Sequence, residues 1–293
     1  MTHRILIVTA VAAEADSVAG GLASGGLASG GPGRGGFPLC GEFPLPGGFA
    51  LRRHAGTSAR PDTPVPRPGT PGHPGPYPVV DVLVAGVGPA AAATATATAL
   101  AYAAVRETPG ETPGEAPRET PATPPYDLVV SAGIAGGFAP HAPIGSVVVS
   151  DAVVGADLGA QTADGYLAVE ELGFGRSVHA VDKALTGAVA AALAGGGQRH
   201  VLGPVLTVST VTGTAGRAAE LAERHPGAAA EAMEGFGVAE AAAAYGVPVV
   251  EIRAVSNAVG PRDRAAWRIG EALDSLRYAF QLLSQTVFVE PPS

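Results

Sequence analysis

The sequence predicts an α/β fold: one domain over residues 1–293, with a mixed, mostly parallel central sheet flanked by helices. Two low-complexity surface inserts interrupt it at about 20–78 and 107–125. Three observations predict this class. Val-, Ile- and Leu-rich runs of strand length recur along the chain, as strands buried on both faces require. Helix-compatible, Ala-rich segments alternate with them, which implies βαβ crossovers and parallel pairing. Hydrophobic residues make up 46% of the chain, enough for a sizeable core, whereas the 42 glycines and 27 prolines gather in particular stretches.

Taken in order, RILIVTA at Arg4–Ala10 reads as a buried strand, and Val11 opens a helix-compatible Ala/Glu segment. The direct repeat GGLASGGLASGG and the run PDTPVPRPGTPGHPGPYP fill the first insert, and ETPGETPGEAPRETP fills the second. Such segments bury too little apolar surface to offset chain entropy, so both are expected to be surface loops. Within the first, Phe37–Arg53 has the residues for one edge strand or hairpin arm. DVLVAGVG at Asp81–Gly88 is a strand entering a glycine turn, followed by an Ala-rich helix at Ala90–Val105. DLVVSAGIAGG at Asp127–Gly137 is a strand expected to run into a glycine-rich turn. SVVVSDAVV at Ser146–Val154 and HVLGPVLTVSTVT at His200–Thr212 are further strands. Helices are predicted at Gly216–Glu223 and Met233–Tyr245, then the strand PVVEIRAVSN at Pro248–Asn257 and a helix over Asp263–Ser284.

Composition excludes several function classes. A net charge of −8 and a pI near 5.3 argue against a nucleic-acid surface and against a polybasic membrane patch. The least polar stretch, Val79–Val105, is broken by Gly86, Gly88 and Pro89 and does not read as a membrane span. The N-terminus lacks the pattern of a signal peptide. A single cysteine, Cys40, rules out an intramolecular disulfide or a cysteine-built metal site, and it fits a reducing cytoplasm. The expected partner is a small molecule.

Ligands of open α/β sheets bind beyond the carboxyl ends of strands, and five clusters lie at such ends. Glu14, just past the first strand, is either a general base on a water or a carboxylate favoured by a helix dipole. Gly86-Val-Gly88-Pro departs from the dinucleotide fingerprint GxGxxG, because Ala91 stands at the third glycine position. Ser131-Ala-Gly133-Ile-Ala-Gly136-Gly137 either lets a flat ligand approach the backbone or makes a sharp turn; it lacks the Gly-Lys-Ser/Thr ending of a P-loop. Glu234, in Glu231-Ala-Met233-Glu234-Gly235, can accept two hydrogen bonds from a vicinal diol or merely open a helix. Ser256 and Asn257 either carry chemistry or cap the helix that follows, where Arg262, Arg264 and Trp267 offer an anion site and a ring.

The order of these clusters resembles the purine nucleoside phosphorylase/nucleosidase family. It is most similar to the hydrolytic branch, which includes methylthioadenosine/S-adenosylhomocysteine nucleosidase. The resemblance covers roughly Arg4–Ser17, Val79–Val105 and Asp127–Leu283 and skips both inserts. It implies a nucleoside phosphorylase-like fold, a homo-oligomer, a nucleoside substrate and no cofactor. It also implies that Glu14 activates water, that Met233 and Glu234 are the pair whose Glu holds the ribose hydroxyls, and that Ile134 and Gly136 lie near ribose and nucleophile.

Ser256 and Asn257 fall on a Ser-Asp pair of the adenine-specific enzymes, in which the Asp protonates the leaving base. An amide offers both a donor and an acceptor, which suits the N7 or O6 of hypoxanthine, but it is no strong acid. Asn257 with Gly-Pro-Arg-Asp-Arg-x-x-Trp resembles members of the branch that take a hypoxanthine nucleoside carrying a benzoate; Arg262 or Arg264 would pair with that carboxylate. Phe138, Phe174, Phe236 and Trp267 are candidates to close the base pocket. Two alternatives stand beside this reading: a methylthioadenosine/S-adenosylhomocysteine-type nucleosidase, and a non-catalytic nucleoside-binding protein of the same fold.

Overall fold

The computed structural model describes residues 3–24, 36–56, 78–107 and 125–289. Within them the chain runs β1 (Arg4–Thr9), α1 (Ala12–Ser24), β2 (Leu39–Pro44), β3 (Ala50–Ala55), β4 (Val79–Val84), α2 (Pro89–Glu107), β5 (Leu128–Gly137) and β6 (Val147–Gly155). It continues through β7 (Gly159–Thr162), β8 (Gly165–Ala168), β9 (Val178–Ala180), α3 (Lys183–Gly195), β10 (His200–Thr207) and α4 (Ala215–Arg224). It ends with β11 (Ala230–Ala232), α5 (Gly235–Ala244), β12 (Val249–Ala258) and α6 (Ile269–Leu283).

The main sheet has the order β11-β10-β6-β12-β5-β1-β4-β3-β2, and β9 pairs with β6. Parallel pairings form its centre, from β4 through β1 and β5 to β12. The step from β12 to β6 is antiparallel. β11 pairs with β10 on one side and with β5 on the other, so β5, β12, β6, β10 and β11 close on themselves. Pleat alternation sends Ile5 and Ile7 of β1 to one core and Leu6 and Val8 to the other. The first core lies under α1, α3 and α6, the second under α2 and α5.

The first insert is corrected in part. Phe37–Arg53 holds both arms of a hairpin, β2 and β3, and β3 adds antiparallel to β4, so this stretch extends the sheet instead of looping over it. A buried polar knot explains the attachment. Asp81 on β4 is fully buried, accepts two 2.8 Å hydrogen bonds from Arg53 on β3, and accepts one of 2.7 Å from the Tyr126 hydroxyl. The Gly/Ser repeat beyond Ser24, the Pro-rich run 57–77 and the repeat 108–124 lie outside the described residues.

Candidate active site

The glycine-rich segment is strand, not turn: β5 runs through Gly133 and Gly136 to Gly137. These glycines serve close approach rather than unusual dihedrals. A Cβ on Gly133 would fall on Glu14 Oε1 and lie 2.6 Å from Arg253 Nη1. Register accounts for this. β5 and β12 are parallel with Ser131 opposite Glu251 and Gly133 opposite Arg253, so these four positions share one face. Glu14 reaches the same spot from the first turn of α1.

The Glu14 carboxylate is buried and held by three backbone amides. Oε2 accepts from Ala10 (3.0 Å) and Val11 (3.2 Å), and Oε1 accepts from Ile134 (2.9 Å). Ile134 thus serves through its N–H. Glu234 is also buried, just before α5. Its Oε1 accepts from the Gly88 N–H (3.2 Å), and its Oε2 lies 3.1 Å from Arg253 Nη2. Gly88, at φ +96°, adopts a conformation that glycine tolerates, and this aims its N–H at Glu234. The Gly86-Val-Gly88 turn therefore holds a carboxylate.

Arg253 is buried at the centre. Its Nε donates to Glu251 Oε1 (2.7 Å), and Nη2 donates to Ser131 Oγ (3.1 Å) and faces Glu234. Burial opposes its charge, but the carboxylates of Glu251, Glu234 and Glu14 outweigh burial and hold the guanidinium above its ordinary pKa. Burial pushes the Glu251 carboxyl above the usual carboxylate range, while Arg253 opposes the rise. Arg253, Glu251, Ser131 and Gly133 lie within or beside the clusters that the sequence marks, but their individual roles emerge only from these contacts. The available signal was an Arg and a Glu two residues apart inside an apolar strand, a placement rare without partners.

Ser256 and Asn257 end β12 at a bulge: the register with β5 slips between Val255 and Asn257, which re-aims the residues beyond it and sets Asn257 opposite Gly136. Ser256 Oγ lies 2.8 Å from Asn257 Oδ1 and 3.2 Å from the Ala135 carbonyl, and Asn257 Nδ2 donates to the Ala258 carbonyl (3.0 Å). One amide hydrogen of Asn257 remains for a ligand. A Cβ on Gly136 would lie 3.2 Å from Asn257 Nδ2. Met233 is half-buried between β11 and α5. The Arg268 N–H donates to the Ser256 carbonyl, tying the following segment to this strand end; there Arg262 and Arg264, both exposed, lie over Trp267 at 5.4 and 5.9 Å.

Of the aromatic candidates, Phe138 is buried in the core with Val154, Leu206 and Leu221. Phe236 is half-buried and lines a cavity of about 440 Å³ with Pro89, Gly155, Thr207 and Ser209, beside the loop that holds Glu234.

Glycine at 133 is thus a condition of the site. Gly133→Ala is expected to displace Glu14 and Arg253 together and to lower kcat about 100-fold. Circular dichroism and steady-state turnover would check it; a folded Gly133→Ala with unchanged kcat would refute this role for the gap.

The phosphorylase superfamily model matches residues 46–286. The chain is 62% identical over 196 residues to the futalosine hydrolase of Streptomyces coelicolor, covering 67% of this chain and 74% of that protein. It is 42% identical over 283 residues to the futalosine hydrolase of Acidothermus cellulolyticus, covering 97% and 91%. The solved futalosine hydrolase of Helicobacter pylori has the same fold, with a TM-score of 0.67 over 97% of each chain at 15% identity. With Glu14, Glu234 and the Ser256-Asn257 pair at one end of such a sheet, the chain belongs to the phosphorylase superfamily and, within it, to the futalosine hydrolase family.

Proposed function

We propose that the protein hydrolyses the N-glycosidic bond of futalosine, releasing hypoxanthine and dehypoxanthine futalosine in menaquinone biosynthesis. The observation that carries this reading is the buried Glu14 carboxylate, fixed by three amides beside Arg253 and Glu234. Glu14 takes a proton from the water that attacks the anomeric carbon. Glu234 accepts hydrogen bonds from the ribose hydroxyls, and its charge steadies the positive sugar as the bond to the base stretches. The oxygen of water joins the anomeric carbon, and the electrons of the broken C–N bond leave with the base, which takes up one proton from solvent while Glu14 returns the proton of water to solvent.

Water fits this site better than phosphate. Glu14, Glu234 and Glu251 surround a single guanidinium already engaged by Glu251 and Glu234, so an incoming dianion meets an excess of negative charge. Asn257 uses its free amide hydrogen on N7 or O6 of hypoxanthine. It holds the departing base without the acid an adenine-releasing enzyme uses. Arg262 and Arg264, stacked on Trp267 beyond the strand end, are the residues we assign to the benzoate. No helix among the described residues is long and apolar enough to cross a membrane. We place the enzyme in the cytoplasm, acting as a homo-oligomer.

The test is base release from futalosine, inosine and methylthioadenosine, each with and without phosphate, followed by chromatography. Phosphate-independent hypoxanthine release from futalosine is expected; adenine release, or none, would refute the assignment. Asn257→Asp is expected to move preference at least tenfold toward an adenine-bearing analogue, since the carboxyl both accepts from the amino group and can protonate N7. Unchanged preference would remove Asn257 from base recognition.

A further inference from the structure

Glu251 touches neither water nor nucleoside in the mechanism above, yet it is the most completely buried carboxylate near the site. It sits on β12, with its carboxylate beneath Gly235 at the start of α5, where a Cβ on Gly235 would collide with it. Its Oε1 accepts from Arg253 Nε at 2.7 Å and lies 3.5 Å from Ser131 Oγ, and its N–H donates to Ser150 Oγ at 2.8 Å. Among the described residues Oε2 has no hydrogen-bond partner. A buried carboxylate in such a place costs stability unless its charge does something.

Resting on the hydrolase reading, we propose that Glu251 is a positioning residue. It grips Arg253 by Nε, so that Nη2 faces Glu234 and Nη1 faces the gap over Gly133 shared with Glu14. A guanidinium is a planar fork, and pinning its Nε fixes where the other two nitrogens point. Without the grip, Arg253 is free to turn its fork onto Glu14 and form a two-pronged ion pair with it. The base would then hold its electrons more tightly and accept a proton from water less readily. The Glu251 charge also offsets the positive field that Arg253 casts on Glu14. The charged groups around the guanidinium are Glu14 from α1, Glu234 from the start of α5 and Glu251 from β12 itself.

The experiment compares wild type, Glu251→Leu and Glu251→Gln in kcat, KM, the pH profile of kcat/KM for hypoxanthine release from futalosine, and melting temperature. In Glu251→Leu, kcat is expected to fall about 10- to 100-fold with KM within about twofold. The acid limb of the profile should move to lower pH, because an arginine no longer held elsewhere favours the charged form of a carboxylate beside it. Glu251→Gln keeps an acceptor for Nε and should recover much of kcat while keeping part of the pH shift. A folded Glu251→Leu with unchanged kcat and acid limb would overturn the proposal. So would a fall in kcat with no shift of the limb, which marks a merely structural role. If Glu251→Leu does not fold, Glu251→Gln decides by the same two readings. Wild-type enzyme that releases no base would instead refute the hydrolase reading, and the proposal with it.

Discussion

Glu14→Gln is expected to lower the rate of hypoxanthine release about 1,000-fold while leaving substrate affinity within a few-fold. A general base contributes about 10²–10⁴ to rate, and Gln keeps the shape of the side chain while removing its basicity. The amide oxygen can still accept from Ile134 or from the Ala10 and Val11 amides, so the fold should tolerate the change. The consequence is a clean separation. Single-turnover rate should collapse, and the dissociation constant measured by calorimetry in the inactive variant should stay near the wild-type KM. Residual turnover within about tenfold of wild type would mean that another group activates water.

Arg253→Met should be the most destabilising single change at the site. It leaves Glu251 and Glu234 buried without their counter-charge, and breaking a buried pair from one side costs about 3–5 kcal/mol. The loss should depend on pH with a definite sign. In the native protein burial already holds the Glu251 carboxyl above its ordinary value, with Arg253 pulling the other way. Removing Arg253 raises it further. A carboxyl whose folded value lies above its unfolded one binds more protons in the folded state, so its unfavourable contribution is absent at low pH and grows as pH rises through the raised value. The gap in unfolding free energy between Arg253→Met and wild type should therefore be larger at pH 8 than at pH 5. Urea denaturation at both values measures it, and a gap independent of pH would mean that Glu251 does not bear the cost.

Much of the molecule is legible in its sequence, for local reasons. RILIVTA can only be a strand buried on both sides, because no face of it is polar; the same holds for the apolar part of DLVVSAGIAGG. The Ala-rich segments after β4 and after Glu234 follow from helix propensity. The sequence carries little sign of the short strands β7, β8, β9 and β11 or of helix α3. The strands have only three or four residues, too short for a period to show, and α3 is announced chiefly by its Asp182 cap, which accepts from the Leu185 N–H. The hairpin in the first insert is only half legible. Its residues alternate weakly, and its place in the sheet depends on Asp81, which is 28 residues further along the chain than its partner Arg53.

The sequence by itself determined the α/β class and marked Glu14, Glu234 and the Ser256-Asn257 pair as candidates, because each lies in a motif or at the end of a strand with strong local character. What only the tertiary structure decided is the company these groups keep. The glycines of β5 looked like a turn because their composition is that of one; they are strand because the neighbour across the pleat demands the missing side-chain volume. Glu14 meets Gly133 across 119 residues of chain, and Arg253 meets Glu234, Glu251 and Ser131 through the register of β5 against β12 and the seating of α5. Such contacts arise from packing between distant segments. Local propensity carries no information about them, and the charge balance that sets the chemistry exists only once the sheet has formed.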